Sequence, residues 1–317
     1  MNSSTKKQSV RNSVKGCVMA AILLTAHVGW ADDVCYDGCA DPSPPGADCL
    51  SGCDLDLAGA GHFTIQADEV ACVREGTVFS GGINMNGGEL RVCGVAYPAY
   101  LNVNAGDVNI LGSMSISNIN MNNINSNLKN FGTLTVGNLN FQGPFENHGT
   151  AVVMYGLNVN WGALVYNSGD LSVDGYVNDM GLFMNRGILS VDGSVNLNNG
   201  EFSNSCETDI SGDLNVSRNA INAGVLTVDG TITLNQELAL GPDAQTQSSN
   251  LMLNAPVWGP TDDTCASFQV ENTTIINGNS TITGNIDICD ANGIEVNNGN
   301  LDDTVTTDCS CTPCESL

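Results

Sequence analysis

The chain has 317 residues, with 34 acidic residues against nine Lys and Arg, so its formal net charge is −25, and only 5% of its residues are aromatic. Such an acidic surface repels nucleic acid and anionic lipid and offers no cluster of cations to bind phosphate. The composition therefore excludes nucleic acid, and the acidity indicates solubility and not a particular partner.

Residues 1–31 have the features of a secretory signal peptide. Basic residues precede an apolar run at 17–28, and the small residues Gly29 and Ala31 precede Asp32. The run is too short to span a bilayer, and its flanks match a leader that is cleaved after Ala31. We expect a secreted, extracellular or cell-surface protein with no membrane span and a net charge near −29 after cleavage, since the leader holds four basic residues and no acidic ones.

Twelve cysteines follow the predicted cleavage site, and an even number in an oxidising compartment favours disulfides. The candidates are Cys35, Cys39, Cys49, Cys53, Cys72, Cys93, Cys206, Cys265, Cys289, Cys309, Cys311 and Cys314. Zinc is the alternative for the first four, but no histidine joins them. We predict a Cys-rich N-terminal cap at 32–80 and a Cys-rich tail at 302–317. Cys206 is expected to be either a buried thiol or bonded across coils to a partner such as Cys265.

Residues 81–301 carry a repeat of 18–20 residues in which apolar and small residues keep one parity, most clearly in the stretch LFMNRGILSVDGSVNL at 182–197. Successive side chains of an extended chain point to opposite faces. A hairpin at Asp192-Gly193 would mix apolar and polar residues on each face, and a β-sandwich would need turns that break the parity. The sequence therefore predicts an all-β fold, a single parallel β-solenoid of roughly a dozen coils with disulfide-rich ends. The spacing stretches at 117–130 and 235–265, where we expect side loops or irregular coils.

Two polar positions recur at the corners of the predicted coils. An inward asparagine precedes one corner and is expected to form a hydrogen-bonded structural ladder of Asn147, Asn167, Asn185, Asn204 and Asn222. Asp174, Asp192 and Asp229 precede the second corner glycine. The first two would stand about 5 Å apart in adjacent coils, a like-charge pair that calcium would relieve. Solvated turn aspartates are the alternative, and no other cofactor is expected.

The parity, coil length and glycine corners resemble those of secreted β-solenoid (parallel β-helix) proteins and, in a general way, the repeat regions of autotransporter and haemagglutinin-like adhesins. The resemblance covers 81–301 and implies an extracellular rod. Polysaccharide lyases and polygalacturonases also have parallel β-helices, so the fold alone does not exclude an enzyme. Their chemistry needs paired carboxylates with an assisting cation or imidazole, and only His62 and His148 follow the leader.

We therefore expect no enzymatic activity. The first functional hypothesis is an extracellular structural protein whose partner is itself, associating end to end into a fibre or matrix. The alternative is a monomeric adhesin that binds a surface ligand along its flank. An adhesive flank would need exposed aromatic side chains, and one cluster could supply them: Tyr155, Trp161, Tyr166 and Tyr176.

Overall fold

A computed structural model describes residues 52–278 and 280–309, which contain 32 β-strands and no helix. Nothing in these two ranges forms a helix that could serve as a membrane span. The predicted leader and five of the cysteines (Cys35, Cys39, Cys49, Cys311 and Cys314) lie outside the described residues.

The strands follow one another with short connections. The first part contains β1 (Leu55–Asp56), β2 (His62–Ile65), β3 (Val70–Val73), β4 (Val78–Phe79), β5 (Gly82–Val92), β6 (Val95–Ala96), β7 (Tyr100–Ile110), β8 (Ser113–Met121), β9 (Ser126–Asn130), β10 (Thr133–Phe141), β11 (Pro144–Asn147) and β12 (Thr150–Val159). The middle contains β13 (Leu164–Asn167), β14 (Asp170–Val173), β15 (Tyr176–Asp179), β16 (Leu182–Asn185), β17 (Ile188–Val191), β18 (Val195–Leu197), β19 (Glu201–Asn204), β20 (Glu207–Ile210), β21 (Leu214–Val216) and β22 (Ala220–Asn222). The last part contains β23 (Val225–Leu234), β24 (Leu238–Leu240), β25 (Gln245–Leu253), β26 (Val257–Trp258), β27 (Ala266–Asn277), β28 (Thr281–Thr283), β29 (Ile286–Asp290), β30 (Ile294–Asn297), β31 (Asn300–Leu301) and β32 (Val305–Thr306).

These strands wind into a parallel β-solenoid of about 13 coils, which confirms the predicted fold. Each strand pairs in parallel with the strand one coil away, so three sheets run along the solenoid. We call them face A (with β13, β16 and β19), face B (with β14, β17 and β20) and face C (with β15, β18 and β21). At about 4.8 Å per coil, the stack is about 60 Å long.

The core is a set of inward columns in which like residues stack on like. On face A, Phe183 lies between Val165 and Phe202, and its ring centroid is 5.9 Å from that of Phe202. All three side chains are buried, whereas the alternate residues are not. Asp192-Gly193 forms the corner between β17 and β18 and not a hairpin, because only a bend preserves the parity.

Strand pairing extends beyond 81–301 on both sides. β1 to β4 lie within the segment expected to form the cap, and β32 lies within the expected tail. Side loops or irregular coils are expected at 117–130 and 235–265. The first stretch is mostly strand and continues the solenoid, whereas the second contains β24 to β26 with longer connections between them, the longest at 259–265, so it forms irregular coils. Extra residues are absorbed at corners and bulges, for example where the β10–β12 register shifts between Val136 and Asn138.

Candidate functional site

The predicted asparagines form one buried column on face A. Each Nδ2 donates to the Oδ1 of the next asparagine, at 2.8 Å from Asn147 to Asn167 and 2.9 Å from Asn204 to Asn222. The same Nδ2 atoms also donate to backbone carbonyls of the next coil, as Asn185 does to Glu207 at 2.8 Å. Because the side chains satisfy one another and the corner backbone, this ladder fixes the coils and leaves no surface for a ligand.

The ladder begins one coil earlier than the prediction, at Asn130. Its Nδ2 donates to Asn147 Oδ1 at 2.7 Å. Asn130 pairs with Ile110 in the coil below, and its Oδ1 has no hydrogen-bond partner in the described part of the chain. The sequence held the signal, since Asn130 is followed at 132 by the same corner glycine, but it lay in the stretch interpreted as a loop.

Two disulfides link consecutive coils near the ends of the described chain. Cys53–Cys72 and Cys289–Cys309 join residues 19 and 20 apart, with Cα–Cα distances of 5.8 and 4.8 Å. Each therefore bonds one coil to the next.

Of the two expectations for the central cysteine, the disulfide applies and the suggested partner does not. Cys206 and Cys265 are both disulfide-bonded, so Cys206 is not a free buried thiol. The register from Glu207 through Val225 and Gln245 to Ser267 separates the two cysteines by three coils, about 14 Å. That distance exceeds the span of a disulfide, so Cys265 is not the partner of Cys206.

The aspartates proposed for calcium are exposed at the corner between faces B and C. Asp174 and Asp192 occupy equivalent positions in consecutive coils, whereas Ser211 separates Asp192 from Asp229. Within 52–278 and 280–309, no group of three or more His, Cys, Asp or Glu side chains is arranged to hold a metal ion. The geometry thus brings together a carboxylate pair and nothing further.

His148 lies in a polar arrangement that the sequence did not reveal. Its Nδ1 is 2.7 Å from Ser168 Oγ and its Nε2 is 3.4 Å from Glu146 Oε2. Hydrogen bonding from His148, supported by Lys129 at 3.1 Å, lowers the pKa of Glu146.

This order of groups resembles that of a serine hydrolase, but the surroundings differ. The N–H groups of Ser168 and Gly169, beside the hydroxyl, both donate to Asn147 O at 2.8 and 3.2 Å. Neither is available to stabilise an oxyanion. The imidazole is also stacked on Phe131, with ring centroids 4.9 Å apart. These contacts favour a packed corner over a nucleophile.

Face C carries an outward column of amides that sequence reasoning missed. It comprises Asn84, Asn102, Asn120, Asn140, Asn158, Asn178, Asn196 and Asn215, one per coil in continuous register. We call these eight residues the amide column. Five of the seven neighbouring pairs are hydrogen-bonded, for example Asn158 Nδ2 to Asn140 Oδ1 at 2.7 Å and Asn215 Nδ2 to Asn196 Oδ1 at 3.0 Å. The signal was an asparagine between two apolar residues, recurring every 18–20 residues on the outward parity.

The outward column beside it has no Asp, Glu, Lys or Arg over the first eight coils. Its members are His62, Gly82, Tyr100, Asn118, Asn138, Gly156, Tyr176 and Ser194. Together with Thr64 and the amide column as far as Asn196, these outward positions of the described chain include no Asp, Glu, Lys or Arg. We call this region the uncharged face. In a chain with 34 acidic residues, it is distinct from the rest of the surface.

Three of the four aromatic residues singled out in the sequence border this face. Tyr155 is 62% exposed at one corner, Trp161 is 67% exposed at the other, and Tyr176 is 44% exposed between them. The Tyr176 ring extends over Gly156, where a Cβ would lie 2.7 Å from the ring. Tyr166 is not part of this group, because it lies on face A beside His148.

One carboxyl group faces inward on face C. Asp179 stands between Val159 and Leu197 of the adjacent coils and is fully buried. The Gly181 N–H donates to its Oδ1 at 2.6 Å, and its Oδ2 has no hydrogen-bond partner among the described residues. Burial raises the pKa of Asp179 to about 7.

Comparison of the chain with models of known protein families, with curated proteins and with solved structures finds no match. Functional argument therefore depends on the surface and the ends of the solenoid.

Proposed function

We propose that the protein is a non-catalytic, extracellular structural protein whose solenoids associate end to end into a fibre or matrix. The observation that carries the proposal is the exposure of a core position in the last described coil. Leu253, Ile276 and Val296 form one inward column; the first two are fully buried, whereas Val296 is 45% exposed.

Both ends of the described chain expose strand edges and residues at core positions. β1 and β2 pair only with later strands and β30 to β32 only with earlier ones within 52–278 and 280–309, so each end has an unpaired backbone edge. Leu55 and Phe63 at one end, and Ile294 and Leu301 at the other, are only partly buried. Such edges recruit further strands, and head-to-tail stacking of an open solenoid produces filaments.

The charge distribution supports contact at the ends over contact at the sides. The predicted mature chain carries a single lysine, Lys129, so lysine side chains do little to protect its strand edges from pairing with another chain. A net charge near −29 opposes side-by-side aggregation. Export into an oxidising compartment agrees with the disulfides that join the end coils.

The test compares two valine variants of the exported protein. Val296→Lys places a charge at the exposed end, and Val225→Lys places the same charge on the flank at a position with similar exposure, 41%. We expect filaments in electron micrographs and high mass by light scattering for wild type and Val225→Lys, and monomers for Val296→Lys. Sizing with and without calcium tests whether cations reduce the repulsion, and N-terminal sequencing tests cleavage after Ala31.

A strictly monomeric wild-type protein in every condition, or equal assembly of the two variants, would contradict end-to-end association. A second function then gains weight, namely adhesion along the flank. The specific observation that favours it is the uncharged face bordered by Tyr155, Trp161 and Tyr176.

A further inference from the structure

The amide column has free hydrogen-bonding capacity at regular intervals. An asparagine amide has two N–H donors and two acceptor lone pairs. Each bond such as Asn102 Nδ2 to Asn84 Oδ1, at 2.9 Å, uses one donor of one residue and one lone pair of its neighbour. Asn140 and Asn158, which are bonded on both sides, therefore each keep one donor and one lone pair for a ligand. Their positions are fixed by their neighbours, so little side-chain entropy is lost on binding.

The aromatic rings provide apolar platforms at the same level. Gly156 and Asn158 are the outward residues of one coil on face C, with Tyr155 and Trp161 at its two corners. Tyr176 and Asn178 follow in the next coil. A ring beside a row of amides suits a ligand that has both C–H surfaces and hydroxyl groups, because the π-face packs on the C–H surface while amides pair with hydroxyls.

The charge of the protein surface distinguishes between the possible ligands of this kind. Hydroxyl-rich polymers are sugars, and many of them carry carboxylates or sulfates. The outward positions of the uncharged face include no Lys or Arg to pair with these groups. Arg218 lies beside the face, with its guanidinium 5.9 Å over the Trp161 ring, but it is already paired with Glu201 at 3.9 Å, and the chain as a whole is strongly negative. An anionic polymer would be repelled, whereas a neutral one would not.

The length of the face points to a polymer and not to a short oligosaccharide. Eight coils with uncharged outward residues extend about 34 Å at 4.8 Å per coil. The five coils from Tyr100 to Tyr176 span about 19 Å. An extended glycan lying along the solenoid would meet an amide in every coil, so many weak contacts would act together.

From these observations we infer that the uncharged face binds an extended neutral polysaccharide through the amide column, with Trp161 and Tyr176 as stacking platforms. The inference rests on the second proposed function, adhesion along the flank, and names its ligand class. It does not depend on end-to-end association.

The test is depletion of the purified exported protein by insoluble polymers. Microcrystalline cellulose and chitin serve as neutral probes, calcium-free polygalacturonate gel as the anionic probe, and gelatin-coated beads as the protein probe. We expect binding to a neutral probe only. Trp161→Ala and Tyr176→Ala should each weaken that binding by about tenfold, as loss of a stacked ring does elsewhere, and Asn178→Ala should weaken it less.

The matched control is Trp258→Ala, because Trp258 is 44% exposed on face A, away from the uncharged face. It should bind as the wild type does, and all variants should keep the wild-type far-UV spectrum and melting temperature. Neutral-probe binding that survives the double change Trp161→Ala, Tyr176→Ala would overturn the inference. Binding of the wild type to gelatin or polygalacturonate instead, lost in the double variant, would reject the ligand class and retain flank adhesion. Binding to no probe would reject the inference, while the sizing experiment would still decide end-to-end association.

Discussion

Asp179 should make the free energy of unfolding of the solenoid depend on pH. A single substitution at this position should abolish that dependence. The Asp179 side chain is enclosed by the adjacent coils, with Val159 on one side and Leu197 on the other, and Gly181 N–H is its one hydrogen-bond donor among the described residues. No charged group contributes to the shift of its pKa, which burial raises from 3.8 to about 7. The protonated form is therefore the one that the folded state favours.

The magnitude follows from linkage. The native pKa lies above the unfolded value, so between about pH 4 and pH 7 the native state binds more protons than the unfolded state, and the free energy of unfolding falls as pH rises. A difference of about three pKa units corresponds to about 4 kcal/mol, which is fully present below about pH 4 and lost above about pH 7. Asp179→Asn keeps an oxygen that accepts from Gly181 N–H, but its side chain does not titrate. The variant should therefore not lose stability as the pH rises.

The assay is urea unfolding of wild type and Asp179→Asn across pH 4 to 8. The two proteins are compared at each pH, so that the contributions of the other acidic groups to the free energy of unfolding cancel. We expect the stability of the variant relative to wild type to increase by about 4 kcal/mol over this range. Asp192→Asn, which changes an exposed carboxylate in the next coil, should show no such trend. A difference between Asp179→Asn and wild type that is constant with pH would refute the burial argument.

Three further predictions concern the coils themselves. Val191→Asp should cost several kcal/mol, because an unpaired carboxylate would be buried between coils, whereas the neighbouring outward change Asp192→Val should be nearly neutral; equal shifts in melting temperature would show that the parity is wrong. Asn185→Ala should cost about 2–4 kcal/mol, since it leaves buried ladder partners unpaired, and the outward Asn196→Ala should cost less than about 1 kcal/mol by the same thermal assay. Cys289→Ser opens a loop of about 20 residues worth about 3 kcal/mol, and hydrogen exchange should localise the loss to the last coil and leave the middle coils protected.

The sequence was sufficient for the fold because a solenoid repeats one local rule. Parity with period two, glycine at corners and a spacing of 18–20 residues specify which side chains enter the core, and each coil contacts only its neighbours. Phe183 and Val191 could thus be placed inside and Asp192 outside from the sequence. The asparagines before the corners were also identifiable, apart from Asn130, because their inward parity stacks each amide on the amide of the next coil.

Register across the less regular coils could not be read from the sequence, since corners and bulges there absorb different numbers of residues. Only the pairing of the strands placed Cys206 three coils from Cys265, and separated Tyr166 from Tyr155, Trp161 and Tyr176.

The tertiary structure also decided the surface. Outward asparagines 18–20 residues apart become one column only when every coil is in register, and an uncharged face exists only after winding has moved the acidic residues to other faces and corners. Burial of Asp179 likewise depends on the coils above and below it. Local pattern therefore determined what lies inside each coil, whereas stacking, which brings together residues distant in sequence, determined what the solenoid presents to a partner.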